Sequence, residues 1–179
     1  AVAPGLLPSD AITATFLFEE PHTVPVVCLS GKPSEMNDLF NKATRRHKPE
    51  HGGSMEYYEA DGTLGICFTA GIKSKGRSSL GYDQKSVTVC LREEYGRSEI
   101  SYPFFDGDGV TTFAELTLRN GGQDYFGSRL RDSYIHQLAQ GMDVTGIRTR
   151  IVAVYVNGKY WGVYDLEEEQ AEGYFEAYY

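Results

Sequence analysis

Only one stretch of this chain carries a helical period, and nearly everything else is a short β-rich run stopped by a turn signal. That pattern restricts the fold to one dominated by sheet. Asp61-Gly62 separates SMEYYEA from TLGICFTAGIKS, and Asn157-Gly158 separates TRIVAVYV from KYWGVYDL. Both pairs accept the positive φ values of a tight hairpin loop, so each marks two antiparallel strands. VPVVCLS at 24–30, QKSVTVCLRE at 84–93 and FAELTLRN at 113–120 supply further strands, and TATFLFEE at 13–20 reads as another, set off by the turn EPHT. The segment from Ser30 to Gly53 mixes a short helix around Met36–Ala43 with a polar loop ending in Gly52-Gly53. The helical stretch is SRLRDSYIHQLAQGM, which Ser128 can cap, with Leu130, Tyr134, Ile135 and Leu138 on one face and Arg131, Asp132, His136 and Gln140 largely opposite. Strands, one helix, then two strands predict an α+β fold: a mostly antiparallel sheet packed against one main helix.

With 179 residues, 41% of them hydrophobic, the chain suits one domain with a real core. Residues 1–12 carry two prolines and no period and read as a linker or arm, leaving 13–179 as the domain. A net charge of −8 argues against a nucleic-acid partner, because binding a polyanion requires clustered Lys and Arg. No apolar run approaches the roughly 20 residues of a membrane span, and Ala1 begins no signal-peptide core, so a mature or excised soluble piece with no membrane partner is expected. Cys28, Cys67 and Cys90 each lie in apolar runs without a CxxC pair and read as buried free thiols, the redox compartment staying open.

The stretch GIKSKGRSSLGYDQKSVTVCL at 71–91 is either a loop whose amides and lysine hold phosphate or a wide turn between strands. Strand alternation puts Lys85 on the face of Val87, Val89 and Leu91. A lone lysine there more commonly snorkels to solvent. The functional alternative has Lys85 entering a cleft to neutralise a phosphate, with Gly76, Ser78 and Ser79 offering amides and hydroxyls just upstream. Asp132 is either part of a solvated helix face or an acidic partner for that lysine. DGDG at 106–109 lacks the spaced ligands of a calcium loop, His22, His47, His51 and His136 form no metal-type pair, and no Gly-x-Ser-x-Gly occurs. No metal ligands are assigned.

Five stretches taken in order resemble the CotH kinase family, atypical protein kinases first named from a bacterial spore-coat protein. They are EEPHTVPVVCLSGKP at 19–33, the 71–91 loop and strand, YPFF at 102–105, FAELTLRNGGQDYFGSRLRDSYIHQLA at 113–139 and RTRIVAVYVNGKYWGVYDLEE at 148–168. The resemblance implies the N-terminal lobe of a protein-kinase-like fold that works with ATP and magnesium on Ser or Thr of a protein substrate. Lys85 would be the phosphate-contacting lysine, and Gly76, Ser78 and Ser79 would lie near the nucleotide. Asp132 would stand where such kinases carry a helix Glu, and Glu168 would lead into the hinge that holds adenine. Catalytic and metal-binding Asp residues are expected in an adjoining C-terminal lobe beyond Tyr179, so that no residue here is catalytic and this chain alone is inactive. The family also implies an extracellular, cell-surface or spore-coat location. A surface adhesion or scaffold module with the same fold is the alternative, and the Tyr-rich tail EGYFEAYY is a candidate surface for self-association.

Overall fold

The computed structural model describes residues 14–17, 21–107, 109–140, 142, 144 and 146–169. The tail and the whole arm at 1–12 therefore lie outside the described residues, as do the ends of the strand expected over 13–20, of which 14–17 are not in a strand.

Among the described residues nine strands form: β1 (Val26–Ser30), β2 (Glu50–Tyr58), β3 (Leu64–Lys75), β4 (Ser86–Cys90), β5 (Ile100–Ser101), β6 (Thr112–Phe113), β7 (Glu115–Arg119), β8 (Thr149–Val156) and β9 (Lys159–Glu168). Seven of them close into a barrel in the order β1-β2-β3-β4-β7-β9-β8, and β5 pairs with β6. Every barrel pairing is antiparallel except that of β1 with β8, which runs parallel from Val26↔Ala153 to Leu29↔Val156 and closes the ring. Both expected hairpins form. Gly62 turns β2 into β3 with φ +84°, and Asn157 (φ 49°) with Gly158 (φ 76°) turns β8 into β9, the double positive φ of the favoured hairpin loop. Gly52 and Gly53 lie inside β2 and not in a loop; Gly53 approaches Ser30 so closely that a Cβ there would meet its carbonyl oxygen at 2.7 Å.

Closure places the core inside the ring. Alternate residues point inward, among them Leu29, Met55, Ile72, Val89, Leu118 and Leu166, and all are buried. One end of the barrel is filled by α1 (Pro33–Asn37) and the π-helical turn Asp38–Lys42, whose Leu39 and Phe40 are buried. Phe40 packs edge-on to Trp161 at 5.1 Å, and Ser74 Oγ donates to the Leu39 carbonyl at 3.1 Å. At the other end Phe104 meets Tyr57 at 5.0 Å and Phe113 at 5.8 Å, both edge-on. Cys28 and Cys90 are buried free thiols as expected, whereas Cys67 is exposed.

The mostly antiparallel sheet with few helices stands, but a sheet resting on one main helix does not describe the core. α2 (Arg131–Ala139) is a short helix on the outside of the barrel, and its buried residue is Ser133. Leu130, Tyr134, Ile135 and Leu138, expected to pack inward, are all exposed, Leu138 at 57%. Ser128 does not cap the helix end directly; its hydroxyl donates to Asp124 at 2.7 Å, and the Asp124 carboxylate accepts from the Arg131 amide at 3.4 Å.

This orientation sets an expectation for mutagenesis. Leu138→Gln should change unfolding stability by less than about 0.5 kcal/mol, the ordinary range for a surface position. Leu118→Ala, inside the barrel, should cost about 2–5 kcal/mol. Urea denaturation of the two variants distinguishes this arrangement from one in which the apolar face of α2 packs on the sheet.

Candidate functional site

Because the barrel interior takes Val87, Leu116, Leu118 and Leu166, the residues between them face outward. Along β4, β7 and β9 these are polar: Ser86, Thr88, Thr117, Arg119, Asp165 and Glu167. All but Arg119 are nonetheless buried. The last residue of β3, Lys75, pairs with Ser86 at the edge of this wall.

A cleft of about 260 Å³ opens over the end of the wall, lined by Lys75, Gly76, Ser79, Arg119, Asn120 and Asp132 together with Ser78. The loop that forms its rim turns at Gly76, whose φ is +119°; a Cβ there would collide with Ser79 Oγ. Leu80 is buried and anchors the short 3₁₀ turn Ser79–Gly81. Asn120, 1% exposed, fixes the floor. Its Oδ1 accepts from Ser86 Oγ at 2.9 Å and from the Gly122 amide at 3.0 Å, its Nδ2 donates to the Gln84 carbonyl at 2.6 Å, and its own amide donates to Ser86 Oγ at 3.0 Å. Every hydrogen-bonding atom of that side chain is thereby used within the loop it supports.

A second pocket of about 240 Å³ adjoins the first, sharing Lys75, Arg119 and Asp132 and adding His136, Glu167, Glu168 and Glu169. Arg119 donates to Asp132 at 2.5 Å and stands 3.7 Å from Glu167, while Arg131 lies 3.7 Å from the same Asp132. Lys75 Nζ donates to Thr117 Oγ1 at 3.0 Å and pairs with Glu169. Burial pushes Glu167 up to about 7, with Arg119 opposing the rise, and burial also raises Asp165.

Of the residues singled out in the sequence, Gly76, Ser78, Ser79 and Asp132 meet in the first cleft, and Glu168 lines the second. Lys85 joins neither lining. It is 7% exposed and its ammonium donates to the Tyr82 carbonyl at 3.0 Å. The acid expected for it on the helix, Asp132, is taken by Arg119. Glu168 is held by Arg148, which donates from Nε at 2.8 Å and from its backbone amide at 2.9 Å. Lys75, Arg119, Asn120, Glu167 and Glu169 were not legible as site residues. For Arg119 the signal was present: in ELTLR the polar positions alternate with apolar ones, which marks a second, outward face.

Two cations, hydroxyls and a glycine turn suit a phosphate-type anion. Among the described residues no group of three His, Cys, Asp or Glu could hold a metal ion, so the wall by itself does not fit magnesium. Among the described residues no helix is long and apolar enough to cross a membrane. The family model described as CotH kinase protein matches residues 72–178, which include the loop, the polar wall and α2. No curated protein matches the chain.

Asn120→Ala strands Ser86, the Gln84 carbonyl and the Gly122 amide, and should lower stability by about 1–3 kcal/mol for each group left unpaired, as read by urea unfolding. Glu167 carries a pH signature as well. Its value in the fold lies above the ordinary carboxylate value, so its contribution to stability is full below the unfolded-state value and is lost as pH rises through about 7. Thermal unfolding should therefore show the wild type losing stability between about pH 5 and 8 relative to Glu167→Gln.

Proposed function

The chain belongs to the CotH kinase family, and from that premise we propose that it is the nucleotide-side lobe of a CotH-type protein kinase, holding ATP phosphates in the cleft beside Gly76. The observation that carries the reading is the convergence of Gly76, Ser78 and Ser79 with Lys75, Arg119 and Asp132 on one lining. Sequence elements far apart in the chain meet there at a polar, partly buried surface, the setting in which charge recognition gains strength over bulk water.

In this reading Lys75 and Arg119 meet the phosphates, while the Gly76 turn lets the loop backbone come close. Lys85 shapes the loop from behind by tying its ammonium to the Tyr82 carbonyl. Asp132 takes the part of the helix acid, acting on Arg119. Bound ATP with magnesium supplies the transferable phosphoryl group and its charge neutralisation. The metal ligands and the residue that orients the Ser or Thr acceptor of the protein substrate belong to an adjoining C-terminal lobe, and residues 13–179 act as the N-terminal lobe of a protein-kinase-like fold. The exposed face of α2 is a fitting seat for that lobe: an uncovered row of Leu130, Tyr134 and Leu138 is apolar surface in search of a partner. An extracellular, cell-surface or spore-coat setting follows the family. The scaffold alternative draws on one observation, that Lys85 is engaged within its own loop.

The chain alone should bind ATP with a dissociation constant of about 1 mM or weaker, and Lys75→Ala should weaken that binding by about tenfold or more, the loss of one charge-assisted contact. Incubation of this chain and of its full-length parent with labelled ATP, magnesium or manganese, and a Ser-rich acceptor reads the rest. Label should be incorporated by the parent only. Transfer by this chain alone would overturn the half-enzyme reading, and an inert parent would put the scaffold reading first.

A further inference from the structure

Glu167 is 5% exposed and lines the second pocket. Its ion-pair contact is Arg119 Nε at 3.7 Å, too long for a hydrogen bond, and that Nε is itself buried without a hydrogen-bond partner among the described residues. The other end of the same guanidinium sits on Asp132 at 2.5 Å. A buried carboxyl and a buried guanidinium nitrogen thus face each other across a gap, Arg119 lining both pockets and Glu167 the second. Buried polar groups are ordinarily satisfied, and a guanidinium nitrogen that is not, facing a buried carboxyl in one cavity, marks a place where something else completes the set.

We propose that Glu167 is a proton switch on anion binding: neutral, it leaves Arg119 to a phosphate-type anion in the cleft, and ionised, it draws Arg119 back and repels that anion. The inference rests on the reading of the cleft as a phosphate site and names its regulation. The step is a protonation only; the carboxyl takes its proton from solvent and returns it there. Burial places this exchange near neutrality, at about 7. The charged groups around Glu167 are Arg119 on β7, Lys75 on β3, Asp132 on α2, and Asp165 and Glu169 beside it in sequence. His136 of α2 also lines the pocket and is a second ionisable group beside the anion. The two groups must therefore be separated by experiment.

Sulfate is the probe, because its charge does not change near neutrality. It is titrated into the whole chain at about pH 6 and pH 8 while the Arg119 Nε–H resonance is followed by NMR. In the wild type the dissociation constant should rise about tenfold between these values, the effect of one pKa unit of coupling. Glu167→Gln should lose most of the pH dependence, and His136→Gln should keep most of the wild-type change. A wild type that binds equally at both values overturns the switch and leaves the anion site standing. Absence of sulfate binding at either value removes both. Glu167→Gln with the full wild-type pH dependence, or His136→Gln without any, assigns the effect elsewhere and overturns the proposal. The unmodified protein gives a readout that needs no variant. The Glu167 carboxyl carbon should titrate near pH 7, and the Arg119 Nε–H resonance should move with the same midpoint; an Arg119 signal indifferent to that titration overturns the coupling.

Discussion

The parallel pairing of β1 with β8 is the contact on which the rest of the architecture depends. Without it the sheet would be open, with two edges and two faces, and an apolar face would need a helix to cover it. With it the apolar face becomes an interior that covers itself. The outer surface is then released from core duty, and over β4, β7 and β9 it is built of Ser, Thr, Arg, Asp and Glu. The cleft exists because a wall of that composition is possible only on the outside of a closed ring.

The same closure explains why two readings of the sequence pointed the wrong way. Lys85 shares its parity with Val87 and Val89, and parity was correctly legible. In an open sheet that face would look toward the helix; in the barrel it looks toward the interior, with the helix on the opposite side. Lys75, of the other parity, is the lysine that reaches the cleft. The amphipathic pattern of α2 was legible too, but its polar edge is the one that meets the barrel. Asp132 bonds to Arg119 on β7 and Ser133 is buried, and the apolar residues face away. Periodicity identifies a face and its partner chemistry, and it does not say which side of a sheet the helix occupies.

What local chemistry determines was therefore readable, and what ring closure determines was not. Asp61-Gly62 and Asn157-Gly158 specify their turns through the φ values they tolerate, and both strands flanking each turn formed. Gly76, Ser78 and Ser79 could be placed on one loop, and Asp132 on a helix start, from spacing alone. That these four share a cleft depends on β3, β4 and β7 being neighbours, which is long-range pairing across residues 64–119. Asn120 was hidden for a related reason. Its side chain serves Ser86 and Gln84, more than thirty positions upstream, and nothing in RNGGQD distinguishes it from an ordinary turn residue.

The polar wall is an expensive way to finish a barrel. Buried charges lose hydration that their mutual attraction only partly restores, and hydrophobic residues of similar size would commonly be as stable or more so. Arg119 shows the tension most clearly. It is shared between Asp132 and Glu167, satisfies the first, and leaves its own Nε without a hydrogen bond 3.7 Å from the second. Thr117 on the same strand and Lys75 on β3 are by contrast engaged with each other and with Glu169. Stability alone would have matched the wall throughout, since an unmated buried pair costs more than either a complete pair or an apolar one. Among the buried polar atoms left without a hydrogen-bond partner in the described residues, Arg119 Nε is the one on the boundary between the two pockets, where the anion proposed for the cleft would complete it.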